Sequence, residues 1–478
     1  MVTYCIMKIR AEHAELSGTI QVPGSKSHTI RALLLAAMSD GTCNITNPLI
    51  SADCLSTAAA LPLIGAQIDL QETSDFPVKT WTVKGAGKNI HLPYDVVNVG
   101  DSGSLLYFLS PIAATFDGWS VFTGDESIRT RPVHHVVDAL NQLGAEATTA
   151  IPGSKNCPLI IRGPISSEKK LITDGNISSQ YISGMMMAAS RLNGTLEIEL
   201  KDPKETPYLT MTQKWLDKVG ISSEISSDFH HIKVTGPKDI SAFNATIPSD
   251  WEGVAFPLIA TLITDSQILI EHVDSSGTQG DDEIVNILKK LGADIEWNKT
   301  AETLLVRGLK KSSDKIGRLS TEHLENGELH VNLSGLPDAI CALAVAACFT
   351  EGTVYIEDIA GCRRKETDRI KVMVSELTKI GAELEEGEDY LIIRGHSPVT
   401  KEGRPNPAFK LRGAVVESYG DHRVAMSLAC LGLGLPSGEF ITVKDAECCS
   451  VSFPDFYKTM NRLNAGFVEL NSSDSINL

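Results

Sequence analysis

The chain has 478 residues, a formal net charge of −17, 42% hydrophobic and 22% charged residues, a globular composition too long for one ordinary core, so two or more domains are expected. Its acidity argues against nucleic acid and anionic membrane as partners, though not against small anions held by local clusters of Lys and Arg. No uncharged apolar run reaches the roughly 18 residues of a membrane span, and residues 1–10 lack a basic stretch followed by an apolar core, so a cytoplasmic protein is expected.

In chain order, residues 18–22 alternate as a strand and residues 32–38 form an apolar helical run, with Pro23-Gly24-Ser25-Lys26-Ser27-His28-Thr29-Ile30-Arg31 between them. Lys26, Ser27 and Arg31 thus sit where a strand turns into a helix, beside unpaired N–H groups that suit an oxyanion or phosphate. A capped helix with two solvated bases fits the stretch equally well, and the nucleotide P-loop spacing is absent. Gly100-Asp101-Ser102-Gly103-Ser104 is a small-residue turn before a second apolar helix, another place where backbone N–H groups can face an anion. Arg131-Pro132 closes the run that begins at Thr123, and the proline suits the first turn of a helix. Ser178-Ser179-Gln180-Tyr181 offers two hydroxyls and an amide at a helix start, where they also serve as an N-cap. Asp338 precedes the apolar run 340–349, where on the sequence alone it reads as an N-cap. In Lys365-Glu366-Thr367-Asp368-Arg369 the spacing predicts one helix face shared by Lys365 and Arg369, with Glu366 at i,i+3 from Arg369. Ten scattered cysteines form neither C-x-x-C nor a zinc spacing, and most lie in apolar runs as buried thiols; the adjacent Cys448-Cys449 reads as a bland thiol pair, with a reactive pair as the alternative.

One phrase recurs six times: two apolar residues three apart, then Gly or Asn, then an apolar residue. Its markers are Gly65, Gly144, Gly220, Gly292, Gly381 and Asn464, spaced 72 to 89 residues apart. The physical reading is a helix stopped by a left-handed residue, with a strand following each time. Six α/β modules of this length are neither a solenoid nor a Rossmann sheet.

These motifs, in this order, resemble the enolpyruvyl transferase family, in the branch that acts on shikimate 3-phosphate. The resemblance covers nearly the whole chain and implies a two-domain inside-out α/β barrel of six repeated α/β folding units, three per domain. It implies crossings near Val22 and near residues 245–249, giving one domain from 1–21 plus 248–478, a second from 22–247, and an active site in the cleft between them. It further implies a monomeric transferase of the shikimate pathway, serving chorismate and aromatic amino acid biosynthesis, with no metal or organic cofactor. Its substrates would be shikimate 3-phosphate and phosphoenolpyruvate.

By the same resemblance Lys26, Asp338 and Glu366 are catalytic. Ser27, Arg31, Ser178, Ser179, Gln180, Tyr208 and Lys365 hold shikimate 3-phosphate, while Lys26, Gly103, Arg131, Arg369 and Arg423 hold phosphoenolpyruvate. Lys26 and Arg31 are expected in a cleft and not in a core.

Four positions depart from the family's motifs: Asp101 and Gly420 stand where Asn is usual, Tyr107 where Arg is usual, and Val451 where Lys is usual. Losing one cation from an anion site costs on the order of 1.5–3 kcal/mol, or about one to two decades of affinity. Lys444 and Lys458 are the compensating candidates. Two alternatives stay open: a relative that eliminates phosphate from shikimate 3-phosphate or acts on a similar cyclitol phosphate, and a non-catalytic binding protein. Retention of Lys26, Asp338 and Glu366 speaks against the second. The UDP-sugar branch is disfavoured, because its G-A-K-N opening is absent.

Overall fold

The computed structural model describes residues 7–70, 79–309 and 317–470. Cys5 therefore lies outside the described residues. The chain forms two compact domains, each with its own hydrophobic core. The first takes the described residues up to Val22 and those from Ser249 onward; the second is Pro23–Pro248.

Each domain is built on three helices that are buried on nearly every side. In the second domain these are α1 (Lys26–Met38), α2 (Gly103–Ala113) and α3 (Ser179–Ala189). In the first they are α4 (Trp251–Leu262), α5 (Ile340–Cys348) and α6 (His422–Leu433). Their sequences explain this, since a helix apolar all round has no face to give to water. A second helix in each module is amphipathic, as in His134–Gln142 and Arg369–Ile380.

The recurring phrase ends that second helix as expected. All six markers have positive φ, from 69° at Asn464 to 102° at Gly144. At each, the marker N–H donates three residues back and the next N–H donates five residues back, as Gly381 does to Thr378 and Ala382 to Leu377. This is the Schellman stop, which satisfies carbonyls the helix leaves open. A strand follows every stop, for example Ser222–Ile225 and Glu383–Glu386.

Among the described residues six four-stranded sheets result, three in each domain, all with one pattern: an edge strand parallel to its neighbour, then two antiparallel steps. One sheet face packs on the core and the other is solvated, as the alternating burial of His231–Gly236 shows. In four modules the parallel edge strand directly precedes that module's buried helix, as Leu171–Asp174 precedes α3. The other two modules exchange theirs. Ser17–Gln21 precedes α1 but pairs with Gln267–Glu271 in the module of α4. Asn244–Thr246 precedes α4 but pairs with Thr42–Thr46 in the module of α1. This exchange is the double crossing between domains. The N-terminal strand Lys8–Glu12 then supplies the missing inner strand of the sixth sheet.

Among the described residues, no helix is long and apolar enough to cross a membrane.

Candidate active site

The repeat puts chemistry at one recurring place, the second residue after the cap of each buried helix. Ser25, Ser102, Ser178, Asp250 and Asp421 are the N-caps of α1, α2, α3, α4 and α6. Two residues on stand Ser27, Ser104, Gln180, Glu252 and Arg423. In the remaining module a single 3₁₀ turn, Pro337–Ala339 capped by Leu336, leads into α5, and the same position is Asp338. Helix starts favour such groups because their N–H donors are unpaired.

In the first domain these positions converge on one charge cluster. Asp338 sits 3.6 Å from Lys365 Nζ and 3.2 Å from Arg423 Nε, and also pairs with Arg369 Nη1. Arg369 reaches Glu366 at 2.6 Å and donates through Nε to Asp421 at 2.8 Å. Asp421 meanwhile caps α6 by accepting from the Arg423 N–H at 3.0 Å. Arg423 completes the set by pairing through Nη2 with Glu252. Burial alone would raise the Asp338 carboxyl, but Lys365, Arg423 and Arg369 outweigh it and hold it well below the carboxylate range. Burial, then Glu252, Asp338 and Asp250, push the Asp281 carboxyl well up, with Arg423 opposing. Asp338 is thus a weak base while the three cations attend it, and any anion drawing Arg369 and Arg423 away strengthens it.

In the second domain Lys26 opens α1 with its Nζ 3.6 Å from Asp53, both largely buried. Gly103 opens α2 under the Arg131 guanidinium, so close that a Cβ there would lie 2.6 Å from Nη1. Ser178 caps α3 through the Gln180 N–H at 3.2 Å, and Gln180 Nε2 donates to Ser104 at 3.1 Å. Ser179 Oγ donates to Glu205 at 2.9 Å. Burial, then Asp53, push Asp101 up to about 6, with Lys26 opposing. Among the described residues, no group of three or more His, Cys, Asp or Glu is arranged to hold a metal.

Several expectations need correcting. Arg31 lies in a core, at 1% exposure. It donates to Thr212 at 2.9 Å, Ser183 at 3.2 Å and the Ser27 and Tyr208 carbonyls at 2.9 and 3.3 Å, over the Phe108 ring. Burial pulls it down to about 9, so it keeps its charge at neutral pH. Lys365 and Arg369 do not share a helix face, because Asp368 caps the helix by accepting from Lys371 and the helix begins only at Arg369. They meet at Asp338 instead. Asp338 makes no cap hydrogen bond, since the cap of its turn is Leu336. Pro132 is not in a helical first turn: the next helix starts at His134, and Pro132 bridges to Asn156. Tyr107, in the place of an arginine, is buried and donates to the Pro132 carbonyl at 3.1 Å. Cys341 and Cys348 are buried as expected, and so is Cys449, while Cys448 is half-buried. Lys458 is 82% exposed beside Asp455, and Lys444 lies 4.0 Å from Glu417.

Asp53, Glu205, Glu252 and Asp281 escape a motif reading. For Glu252 the repeat carries the signal, since four of the other five modules have site candidates at the equivalent position: Ser27, Gln180, Asp338 and Arg423.

The family model of EPSP synthase (3-phosphoshikimate 1-carboxyvinyltransferase) matches residues 11–460. A 3-phosphoshikimate 1-carboxyvinyltransferase of Acetivibrio thermocellus is 35% identical over 459 residues, covering 96% of this chain and 99% of its own. Its counterpart in Ruminiclostridium cellulolyticum is 34% identical over 464 residues, covering 97% and 100%. Among solved structures, an EPSP synthase from Acinetobacter baumannii superposes with a TM-score of 0.77 at 25% identity, covering 97% of this chain and all of that one.

Proposed function

The chain belongs to the EPSP synthase family, and on that premise we propose that it transfers the enolpyruvyl group of phosphoenolpyruvate to the 5-hydroxyl of shikimate 3-phosphate. The products are 5-enolpyruvylshikimate 3-phosphate and phosphate. The observation that carries this reading is the Asp338 cluster, where a carboxylate, a second acid and three cations converge. The second-domain residues Ser27, Ser178, Ser179, Gln180 and Tyr208 hold shikimate 3-phosphate together with Lys365. Arg131, Arg369 and Arg423 take the phosphate and carboxylate of phosphoenolpyruvate, and Gly103 leaves room for Arg131 to do so.

The chemistry then follows from the charges. Drawing Arg369 and Arg423 onto phosphoenolpyruvate releases Asp338 from two of its three cations, and its basicity rises. Asp338 takes the 5-hydroxyl proton as the oxygen bonds to C2 of phosphoenolpyruvate. Lys26 and Glu366 deliver a proton to the methylene, giving a tetrahedral ketal. Loss of a methyl proton to the same pair and rupture of the C2–O bond expel phosphate. The chain's own residues supply every proton transfer, and the reading includes no metal or organic cofactor. We further read the protein as a cytoplasmic monomer serving chorismate formation.

Phosphate release measured with each substrate alone and with both tests the reading. It should require both, and Asp338→Asn should abolish it with the melting temperature retained. Release from shikimate 3-phosphate alone would overturn it.

A further inference from the structure

Glu252 has no place in the reaction above, yet it occupies the group that the second substrate needs. It stands at the second position after the α4 cap, its own N–H donating to Asp250 at 3.0 Å. Its carboxylate pairs with Arg423 Nη2, and the two side chains are 10% and 3% exposed. Arg423 Nε faces Asp338 at 3.2 Å, so one edge of the fork serves a candidate base and the other serves Glu252. A carboxylate is the functional group that phosphoenolpyruvate itself carries. An arginine fork binds carboxylate and phosphate by the same parallel N–H donors, so the two compete for one surface.

Resting on the reaction assigned above, we propose that Glu252 is a built-in competitor of phosphoenolpyruvate for Arg423, and that it sets the affinity for that substrate. Two further observations support it. The pair is buried, so neither salt nor water screens it as it would a surface pair. And acids outnumber bases in this cluster: Glu252, Asp250, Asp281, Asp338, Glu366 and Asp421 against Lys365, Arg369 and Arg423, and burial first, then Glu252, Asp338 and Asp250, raise the Asp281 carboxyl. An incoming anion must displace Glu252 from the fork before it can use that edge. The arrangement favours turnover at high substrate levels over capture at low ones.

Glu252→Gln keeps the shape and removes the charge. Its KM for phosphoenolpyruvate should fall about tenfold, a change of about 1.4 kcal/mol, while the KM for shikimate 3-phosphate stays within twofold. Glu252→Asp, which keeps the charge but withdraws it by one methylene, should shift the same constant less and in the same direction. It also serves if the glutamine variant does not fold. A KM for phosphoenolpyruvate that is unchanged or higher in the folded variants would overturn the competitor role. Absence of two-substrate phosphate release in the unmodified protein would instead remove the assigned reaction, so the two failures are distinguishable.

Discussion

Lys26 and Arg31 look alike in the sequence, two cations five residues apart, but they differ in what surrounds them. Lys26 opens a helix with Asp53 at 3.6 Å and Asp101 nearby, whereas Arg31 threads four hydrogen bonds through the packed second domain. Lys26→Ala should therefore abolish turnover with little loss of melting temperature. Arg31→Ala should cost stability on the order of 1.5–3 kcal/mol, read as a lower urea midpoint, because buried polar partners lose a charged donor. Equal melts for the two variants would contradict this. The burial of Arg31 was not legible beforehand, since Thr212 and Ser183 come from 181 and 152 residues away. Asp101 and Val451 belong to the same scale. The folded chain holds the Asp101 proton up to about 6, so the carboxyl is neutral below that pH and repels an anion above it. The stability this group contributes is likewise present at low pH and lost as pH rises through about 6. Asp101→Asn should accordingly improve the KM for phosphoenolpyruvate little at pH 5 and clearly at pH 8; an equal gain at both would contradict the sign. Val451→Lys should lower the same KM about tenfold by restoring a cation.

Two kinds of element carry the account, helix stops and helix starts. The stops were legible in full, because only Gly or Asn is cheap at positive φ and the phrase repeats six times. Gly292 tests this without a steric complication: a Cβ there would meet nothing closer than the Arg318 carbonyl at 3.6 Å. Gly292→Ala should therefore cost about 1–2 kcal/mol from the left-handed backbone alone, with turnover retained. An unmoved urea midpoint would contradict it. The starts were legible only where a motif marked them. Ser178 and Asp421 cap as their types predict. Lys365-Glu366-Thr367-Asp368-Arg369 misled because charge spacing suggests a helix, while Asp368 competes for the backbone and delays it. Glu252 has no motif of its own, for the opposite reason: one acid at the head of an apolar helix is what the helix dipole favours anyway, so only the repeat marks it. At Gly103 the start is also a seat, so Gly103→Ala should displace Arg131 and raise the KM for phosphoenolpyruvate more than that for shikimate 3-phosphate.

At the scale of the whole molecule, six copies of one module build two domains, and the chain passes between them by exchanging the strands Ser17–Gln21 and Asn244–Thr246. The module count was readable from the phrase, but the exchange was not, because a parallel edge strand carries no mark of which sheet receives it. The same repetition distributes the proposed groups, with Lys26 and the shikimate 3-phosphate residues mostly on one domain and Asp338, Glu366, Arg369 and Arg423 on the other. In the proposed reaction both substrates are necessary for turnover, because Asp338 is a weak base while Lys365, Arg423 and Arg369 attend it. The most direct measurement is therefore the mass spectrum of products from shikimate 3-phosphate with and without phosphoenolpyruvate. The account predicts an enolpyruvyl ether of shikimate 3-phosphate and one phosphate per turnover when both are present, and unchanged starting material when either is missing. A dephosphorylated ring product formed from shikimate 3-phosphate alone would contradict it.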